Sequence, residues 1–293
     1  MSRKAMSLKA KIRNLAKEKD ISAQVILQNY MFERFLERLS KSNYKNNFIL
    51  KGGMLIAALV GIDNRSTMDM DATIKNYPIT IDSLTKAITE ICNIEVDDDV
   101  NFSFMGIEPI RDDDIYGGYR VGIRADYDTI ITPLSIDITT GDVITPREVF
   151  YSFKMIFDEG TIGVWAYNIE TVLAEKLETI LQRGELNTRP RDFYDIYILV
   201  NTQEFDSLVF SEALKKTIEH RETIHILNDT LERIKAIETS EILKDRWVKY
   251  SKNYPYAEDI SYEDTVKALK MLLWGWVIYI KQWVEEEKNK FIL

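Results

Sequence analysis

Residues 67–74 read TMDMDATI, and polar and apolar side chains alternate along this stretch. Such alternation predicts a β-strand, because successive side chains of a strand point to opposite faces of the sheet. The face expected in the core is apolar and consists of Met68, Met70, Ala72 and Ile74. The opposite face is polar and consists of Thr67, Asp69, Asp71 and Thr73.

The polar face carries two carboxylates, Asp69 and Asp71, which a strand would place about 7 Å apart. Their oxygens can converge on a hard cation such as Mg²⁺, which prefers oxygen ligands. Without a cation the two charges would repel each other. The alternative is a polar strand face in solvent, because D-x-D matches often arise by chance.

A second alternating stretch, LSIDI at residues 134–138, predicts another short strand. Its apolar side chains are expected to point inward, and Ser135 and Asp137 outward. If the two strands are neighbours, Asp137 becomes a third carboxylate near the pair. Three carboxylates around one or two Mg²⁺ ions can hold a triphosphate and activate a hydroxyl.

Upstream, Lys51-Gly52-Gly53-Met54 separates a predicted strand, 47–50, from an apolar helix, 54–60. Glycines at such a turn let the backbone approach phosphate oxygens, and a helix N-terminus offers free N–H groups. A plain turn is the alternative for a Gly-Gly pair alone. The D-x-D strand that follows favours a phosphate-holding turn.

The remaining pattern predicts an α+β protein. Helices are predicted within 5–40, with Ser22 as an N-cap, and over 80–93. Residues 99–140 indicate β-structure, with Gly117-Gly118 as a hairpin turn. Long helical patterns begin near 168. We therefore predict an α/β domain with a mixed sheet over 1–165, which carries the D-x-D strand, and a mainly helical domain over 166–293.

The composition is that of a globular protein, with 45% hydrophobic and 29% charged residues and a net charge of −9. An acidic chain is a poor general binder of nucleic acid, but a local basic patch can still meet RNA. Basic residues cluster near the start at Arg3, Lys4, Lys9, Lys11, Arg13, Lys17 and Lys19. A solvated helix face is the alternative interpretation of this cluster.

Cysteine and histidine are scarce. Cys92 is the single cysteine, so no internal disulfide forms, and His220 and His225 are too few for a zinc site of the usual ligands. No secretion signal is recognised, and the longest apolar run, 271–280, is too short to span a bilayer and suits a core helix. We expect a cytoplasmic monomer that does not enter membranes.

Aromatic residues accumulate near the end of the chain, at Trp274, Trp276, Tyr279 and Trp283. We expect them to pack in the core, with a partner surface as the alternative.

These motifs resemble the core signature of the polymerase-β-like nucleotidyltransferases, which combines a glycine pair, a D-x-D strand and a later Asp, here Asp137. The gap between the glycines and the first Asp is somewhat longer than is usual in that superfamily. The flanking residues 65–71, RSTMDMD, resemble the AbiEii branch, the toxins of AbiE abortive-infection toxin–antitoxin systems.

A second stretch carries the same resemblance: LAEKL at 173–177, Arg183, and RPRDFYD at 189–195 are similar to the fourth motif of that family. On a helical wheel Lys176 falls inside the apolar arc of its helix, whereas Glu175 and Glu178 fall opposite. Lys176 is then expected to serve as a cation for the triphosphate or for charge that develops during transfer. The alternative is a lysine whose side chain only covers apolar surface.

The next helix is predicted to begin near Pro190, with Asp192 inside its apolar arc and Asp195 at the edge. Asp192 would either complement the helix dipole or pair with a cation, for which Lys176 and Arg191 are candidates. The resemblance places Lys176 and Asp192 in the active site.

The resemblance implies a phage-defence toxin that is restrained by an antitoxin encoded in the same operon. It would transfer a nucleotide from an NTP, GTP or a pyrimidine NTP, to an acceptor such as the tRNA 3′ end. Its expected metal ligands, for Mg²⁺, are Asp69, Asp71 and Asp137. Its expected catalytic residues are these three with Lys176 and Asp192. Its expected nucleotide-binding residues are Gly52, Gly53, Ser66, Thr67, Lys176 and Arg191. A GTP or NTP sensor acting through a protein partner, and a transferase with a small-molecule acceptor, remain alternatives.

Overall fold

The computed structural model describes residues 3–110, 117–274 and 276. The chain divides into two compact units. The first comprises Met1–Asp142 and Glu148–Tyr167, and the second comprises Val143–Arg147 and Asn168–Leu293. Each unit has its own secondary structure, and the α+β class predicted from the sequence is confirmed.

The first unit contains four helices and a seven-stranded sheet among its described residues. The helices are α1 (Arg3–Lys19), α2 (Ala23–Lys41), α3 (Gly52–Val60) and α4 (Ile81–Cys92). The strands are β1 (Phe48–Lys51), β2 (Met70–Ile74), β3 (Val100–Ile110), β4 (Gly118–Tyr127), β5 (Ile130–Thr140), β6 (Val149–Lys154) and β7 (Thr161–Ala166). Their order is β3-β4-β5-β2-β1-β7-β6. The sheet is mixed, as predicted, because β1–β7 and β2–β5 are parallel and the other pairs antiparallel.

The two N-terminal helices follow the predicted pattern. Ser22 caps α2 by accepting a hydrogen bond from the Gln24 N–H, and α2 buries Ile26, Phe32 and Phe35 completely. Helix α1 buries a narrow apolar stripe and leaves its basic residues exposed or half-buried. The basic cluster therefore lies on the solvent side of an amphipathic helix.

The D-x-D strand is shorter than predicted. Met70, Ala72 and Ile74 are buried as expected, but β2 begins only at Met70, and Met68 is 41% exposed while Thr67 is 5% exposed. The predicted orientation of Met68 and Thr67 was therefore wrong. The Thr67 carbonyl accepts a hydrogen bond from Asn29 Nδ2 of α2 (2.7 Å). At Thr67 this hydrogen bond to α2 takes the place of pairing with a neighbouring strand. The alternation of polar and apolar residues therefore does not predict side-chain direction before Met70.

The predicted β-structure between 99 and 140 is confirmed by β3, β4 and β5. Of the predicted turn Gly117-Gly118, Gly117 precedes β4 and Gly118 is the first residue of β4, whereas residues 111–116 lie outside the described residues. The sequence patterns predicted no strand between 141 and 167, where β6 and β7 lie. Val149 and Phe150 of the edge strand β6 are 41% and 63% exposed, which hides the core-facing pattern there.

All the regular secondary structure among the described residues of the second unit is helical. Its helices are α5 (Ile169–Arg183), α6 (Pro190–Thr202), α7 (Ser207–His220), α8 (Thr230–Thr239) and α9 (Glu241–Asn253), and residues 262–274 are also helical. Leu173, Leu177 and Leu181 of α5 are fully buried, as the helical wheel predicted.

The terminal aromatic residues do not behave alike. Trp276 is 1% exposed and packs in the core, but Trp274 is 79% exposed, so the core prediction was wrong for Trp274. Two residues two positions apart on a helix face different directions. Tyr279 and Trp283 lie outside the described residues. Among the helices that the structure describes, none combines the length and apolar character needed to cross a membrane.

Candidate active site

Asp71 and Asp137 lie side by side on neighbouring strands. β2 and β5 run parallel, and their register pairs Asp71 with Asp137. Asp69 is exposed and immediately precedes the first residue of β2. The register therefore brings Asp71 and Asp137 together in the first unit, whereas Asp69 belongs to the loop that precedes the strand.

The glycine turn is built around the Asp71 side chain. Gly52 has φ +66°, and a Cβ placed there would lie 2.0 Å from Asp71 Oδ2. The backbone of Gly53 donates a hydrogen bond to the Asp71 carboxylate. Helix α3 already begins at Gly52, so its positive N-terminal end faces Asp71. Only glycine satisfies both the backbone angle and the close approach at position 52.

Ser66 and Thr67 lie beside this turn. A Cβ at Gly53 would lie 2.8 Å from Thr67 Oγ1 and 3.0 Å from Arg65 Nη2. The Ser66 carbonyl accepts a hydrogen bond from Arg65 Nη1 (2.5 Å). Thr67 is thus brought together with Gly53 and Asp71, whereas Ser66 is held through its backbone.

The surroundings of Asp71 disfavour its ionised form, and burial is the largest cause. Burial raises the pKa of Asp71, and the nearby charges of Asp137 and Asp69 raise it further. Lys51 and the Gly53 N–H act in the opposite direction but do not cancel the shift. A positively charged ligand would favour the ionised form of this group.

The oxygen donors of Asp69, Asp71 and Asp137 suit a hard divalent cation by their chemistry. In the described part of the chain, however, no three Asp, Glu, His or Cys side chains are arranged as a ligand cluster. Both Asp137 oxygens also accept hydrogen bonds from Arg120, from Nε and from Nη2, each at 2.8 Å. The oxygen donors of the three carboxylates therefore suit a metal, but Arg120 would have to move away from Asp137 before all three could act as ligands.

Lys51, at the end of β1, is a site residue that the sequence analysis did not single out. Its Nζ lies 2.7 Å from Thr139 Oγ1 and contacts Asp142, which also accepts a hydrogen bond from the Tyr167 hydroxyl (2.7 Å). Burial alone would raise the pKa of Asp142, but Lys51 and these hydrogen bonds lower it. This ion pair fixes Lys51 near the glycine turn, and the adjacency of Lys51 to Gly52 was the available sequence signal.

In the second unit Lys176 binds two carboxylates of α6. Its Nζ lies 2.8 Å from Asp192 Oδ1 and 2.7 Å from Asp195 Oδ2, and Asp195 is fully buried. Burial would lower the pKa of Lys176, but the two carboxylates outweigh it and raise the pKa. Lys176 is therefore a protonated, oriented cation, and its predicted inward position and its pairing with Asp192 are confirmed.

Arg191 does not partner the interior aspartates. Its Nη2 donates a hydrogen bond to the Tyr254 hydroxyl (3.0 Å), and its guanidinium lies 5.5 Å from the centre of the Tyr254 ring. Of the two cations considered for Asp192, Lys176 fills that role.

The opposite side of α5 was predicted to be polar, but Glu178 is only 2% exposed. Glu178 Oε2 accepts a hydrogen bond from Arg221 Nη1 (2.6 Å), next to Thr179 Oγ1, which also contacts Arg221. Helix α7 packs along α5 and covers this side. A helical wheel shows periodicity but not which faces other helices will cover.

Comparison with known proteins agrees with these features. Residues 34–270 match the family described as "Nucleotidyl transferase AbiEii toxin, Type IV TA system". No curated protein matches the sequence. The crystal structure of JHP933 from Helicobacter pylori is similar with a TM-score of 0.49 and 17% identity over 92% of this chain and 99% of that one. A candidate nucleotidyltransferase of H. pylori is similar with a TM-score of 0.46 and 18% identity over 89% of this chain and 97% of that one.

The family match covers most of the chain and includes the glycine turn, all three carboxylates and the Lys176 motif. Family membership implies an enzyme of the nucleotidyltransferase class and a cognate antitoxin. The chain belongs to the AbiEii family of nucleotidyl transferase toxins of type IV toxin–antitoxin systems.

Proposed function

We propose that this toxin transfers a nucleoside monophosphate from an NTP to the 3′ end of an RNA, with tRNA as the first acceptor to test. The observation that carries the proposal is the pairing of Asp71 with Asp137 on adjacent strands, with Asp71 seated on the Gly52–Gly53 turn. A half-buried carboxylate beside other carboxylates carries an electrostatic cost that a bound cation relieves.

Asp69, Asp71 and Asp137 would hold Mg²⁺. The ion supplies charge neutralisation for the triphosphate and a lower barrier to removal of the hydroxyl proton. The glycine turn and the α3 N-terminus would bind phosphate oxygens through backbone N–H groups, with Ser66 and Thr67 alongside. GTP and the pyrimidine NTPs are the candidate substrates.

In the proposed step the acceptor hydroxyl attacks the α-phosphorus. A new oxygen–phosphorus bond forms, the bond between the α-phosphorus and the bridging oxygen breaks, and pyrophosphate leaves. The hydroxyl proton passes to a carboxylate, for which Asp137 is the candidate base.

Lys176 and Asp192 are assigned to the same reaction through the fourth motif of the family. Lys176 is suited to stabilise negative charge because it is protonated, and Asp192 and Asp195 orient it. Arg191 is proposed as a nucleotide contact on the same basis. Asp192 and Asp195 act as positioning residues for the Lys176 ammonium.

The test uses the purified full chain, α-labelled NTPs one at a time, Mg²⁺ and total tRNA. We expect label on RNA from at least one NTP, and loss of that label in Asp71→Asn. Asp126→Asn is the control, because Asp126 is likewise a strand carboxylate, but it pairs with Arg124 (2.9 Å) and lies outside the group of Asp69, Asp71 and Asp137. This control should retain the label.

Two outcomes would contradict the proposal. Nucleotide binding without label on any acceptor would support a sensor that acts through a protein partner. Label on a small hydroxylated compound but not on RNA would support a small-molecule acceptor. Treatment of labelled RNA with a 3′ exonuclease distinguishes addition at the end from attachment elsewhere.

A further inference from the structure

Arg120 sits at the carboxylate site but had no place in the sequence motifs. β4 and β5 are antiparallel, and their register places Arg120 opposite Asp137. Two parallel hydrogen bonds of 2.8 Å join the guanidinium to the two oxygens of Asp137. This fork-to-fork pairing is the strongest geometry available to an arginine and a carboxylate.

The pair competes with a cation at the same carboxylate. Asp137 raises the pKa of Arg120, first through the hydrogen bonds and then through its charge, and Asp69 contributes as well. The guanidinium therefore lies in the field of two of the three carboxylates. A divalent ion that used Asp137 would be repelled by this neighbouring positive charge.

Arg120 is more accessible to solvent than Lys51 and Lys176 are. Its side chain is 52% exposed, whereas Lys51 is 16% exposed and held by Asp142, and Lys176 is 17% exposed and held by two aspartates. An exposed arginine can exchange one oxyanion for another at little cost, since its ion pair is partly screened by water. Phosphate oxygens offer the same fork geometry as a carboxylate.

We propose that Arg120 is an exchangeable counter-ion: it occupies Asp137 in the free protein and moves to the phosphates of the NTP when metal and nucleotide bind. Arg120 thus binds phosphate when the NTP is present and weakens metal binding when the NTP is absent. This inference rests on the proposed function, because it requires the metal and NTP to bind at Asp71 and Asp137. The exchange makes and breaks ion pairs only, so no covalent bond changes.

The test measures binding, not turnover. Mn²⁺ is titrated by electron paramagnetic resonance against the full chain without nucleotide, and α,β-methylene GTP and the corresponding pyrimidine analogues are then titrated at saturating Mn²⁺. Arg120→Gln should bind Mn²⁺ roughly three- to tenfold more tightly than the wild type, because a competing cation is removed. The same variant should bind the NTP analogue roughly tenfold more weakly, because a phosphate partner is lost.

Arg124→Gln is the matched control. Arg124 lies on the same strand and the same sheet face as Arg120, it is 43% exposed, and it pairs with Asp126, which is 24% exposed against 23% for Asp137. We expect both affinities of Arg124→Gln to equal those of the wild type. Arg120→Lys keeps the charge without the fork and should give Mn²⁺ affinity close to that of the wild type.

Unchanged or weaker Mn²⁺ binding in Arg120→Gln would overturn the proposal, and so would unchanged binding of the NTP analogue. Asp71→Asn separates this failure from that of the metal site. If Asp71→Asn binds Mn²⁺ as the wild type does, both proposals are overturned. If Asp71→Asn is defective and Arg120→Gln is indistinguishable from the wild type, only the role of Arg120 is overturned.

Discussion

Asp71 Oδ2 lies so close to the backbone of Gly52 that a Cβ at position 52 would be 2.0 Å away. The turn and the carboxylate are therefore one structural feature, although they are separated along the chain by α3 and a loop. The close approach of the Asp71 carboxylate requires glycine at position 52, and the N-terminus of α3 orients that carboxylate.

Gly52→Ala should destabilise the first unit and displace Asp71. The positive φ alone costs about 1 kcal/mol for a residue with a Cβ, and the overlap with Asp71 adds strain of about 1–3 kcal/mol. Urea unfolding and Mn²⁺ titration measure the two effects. Gly184→Ala is the control, because Gly184 has φ +51° but a Cβ added there would meet no atom within 4 Å. Equal losses in the two variants would show that the contact with Asp71 is unimportant.

Asp71→Asn should increase the free energy of unfolding of the metal-free protein by about 1 kcal/mol while abolishing metal binding. The physical reason is that burial and the charges of Asp69 and Asp137 disfavour the Asp71 anion, which the raised pKa expresses. Chemical denaturation in the presence of a chelator gives the stability. A large loss of stability in this variant would mean that the anion is needed by the fold and not by a ligand.

Lys176→Met should destabilise the second unit by about 3–5 kcal/mol, because it leaves two carboxylates of α6 without their cation, one of them fully buried. Calorimetry or urea unfolding measures this loss. Adding Asp195→Asn to Lys176→Met should recover part of the stability, since one of the two carboxylates that Lys176 neutralised is removed. Loss of transfer in the single variant is therefore informative only beside the stability of both variants.

Stability should also depend on pH through Glu33 of α2. Burial raises the pKa of Glu33 from 4.5 to about 7, against the opposing effects of Arg34 and the Ile156 N–H. The folded state thus holds the Glu33 proton more tightly than the unfolded state does. This contribution is fully present below pH 4.5, the unfolded value, and is lost as the pH rises through about 7.

The raised pKa of Glu33 corresponds to about 3 kcal/mol of unfolding free energy, which is lost between pH 4.5 and about pH 7. In Glu33→Gln this pH-dependent loss of stability should vanish. Between about pH 5 and about pH 8 the unfolding free energy of the variant should therefore change less than that of the wild type. Glu37→Gln is the control, because Glu37 contacts the same Arg34 at 3.1 Å from the same helix. A wild-type pH profile in Glu33→Gln would show that Glu33 is not the titrating group.

Sequence patterns located the chemistry but not its detailed arrangement. The alternation in 70–74 and 134–138 correctly gave the core faces of β2 and β5, and a helical wheel correctly turned Lys176 inward. The same reasoning misplaced Met68, Trp274 and Glu178. Met68 lies before the first residue of β2, and α7 packs along the side of α5 that carries Glu178.

Arg120 shows why the site was incomplete. It stands in a strand with no motif, and its pairing with Asp137 exists only because β4 and β5 align in one register. Lys51 adjoins the glycine pair, but its partner Asp142 lies just beyond the end of β5, and the role of Lys51 follows only from this contact.

The sequence by itself determined the α+β class, the mixed sheet, the family and the residue types that could bind a metal and a phosphate. These follow from local periodicity and short motifs, which act over a few neighbouring residues. Tertiary structure decided that Asp71 sits on Gly52, that Arg120 occupies Asp137, and that two aspartates hold Lys176. Those relationships depend on strand register and helix packing, because they join side chains that the backbone brings together only when the chain has folded.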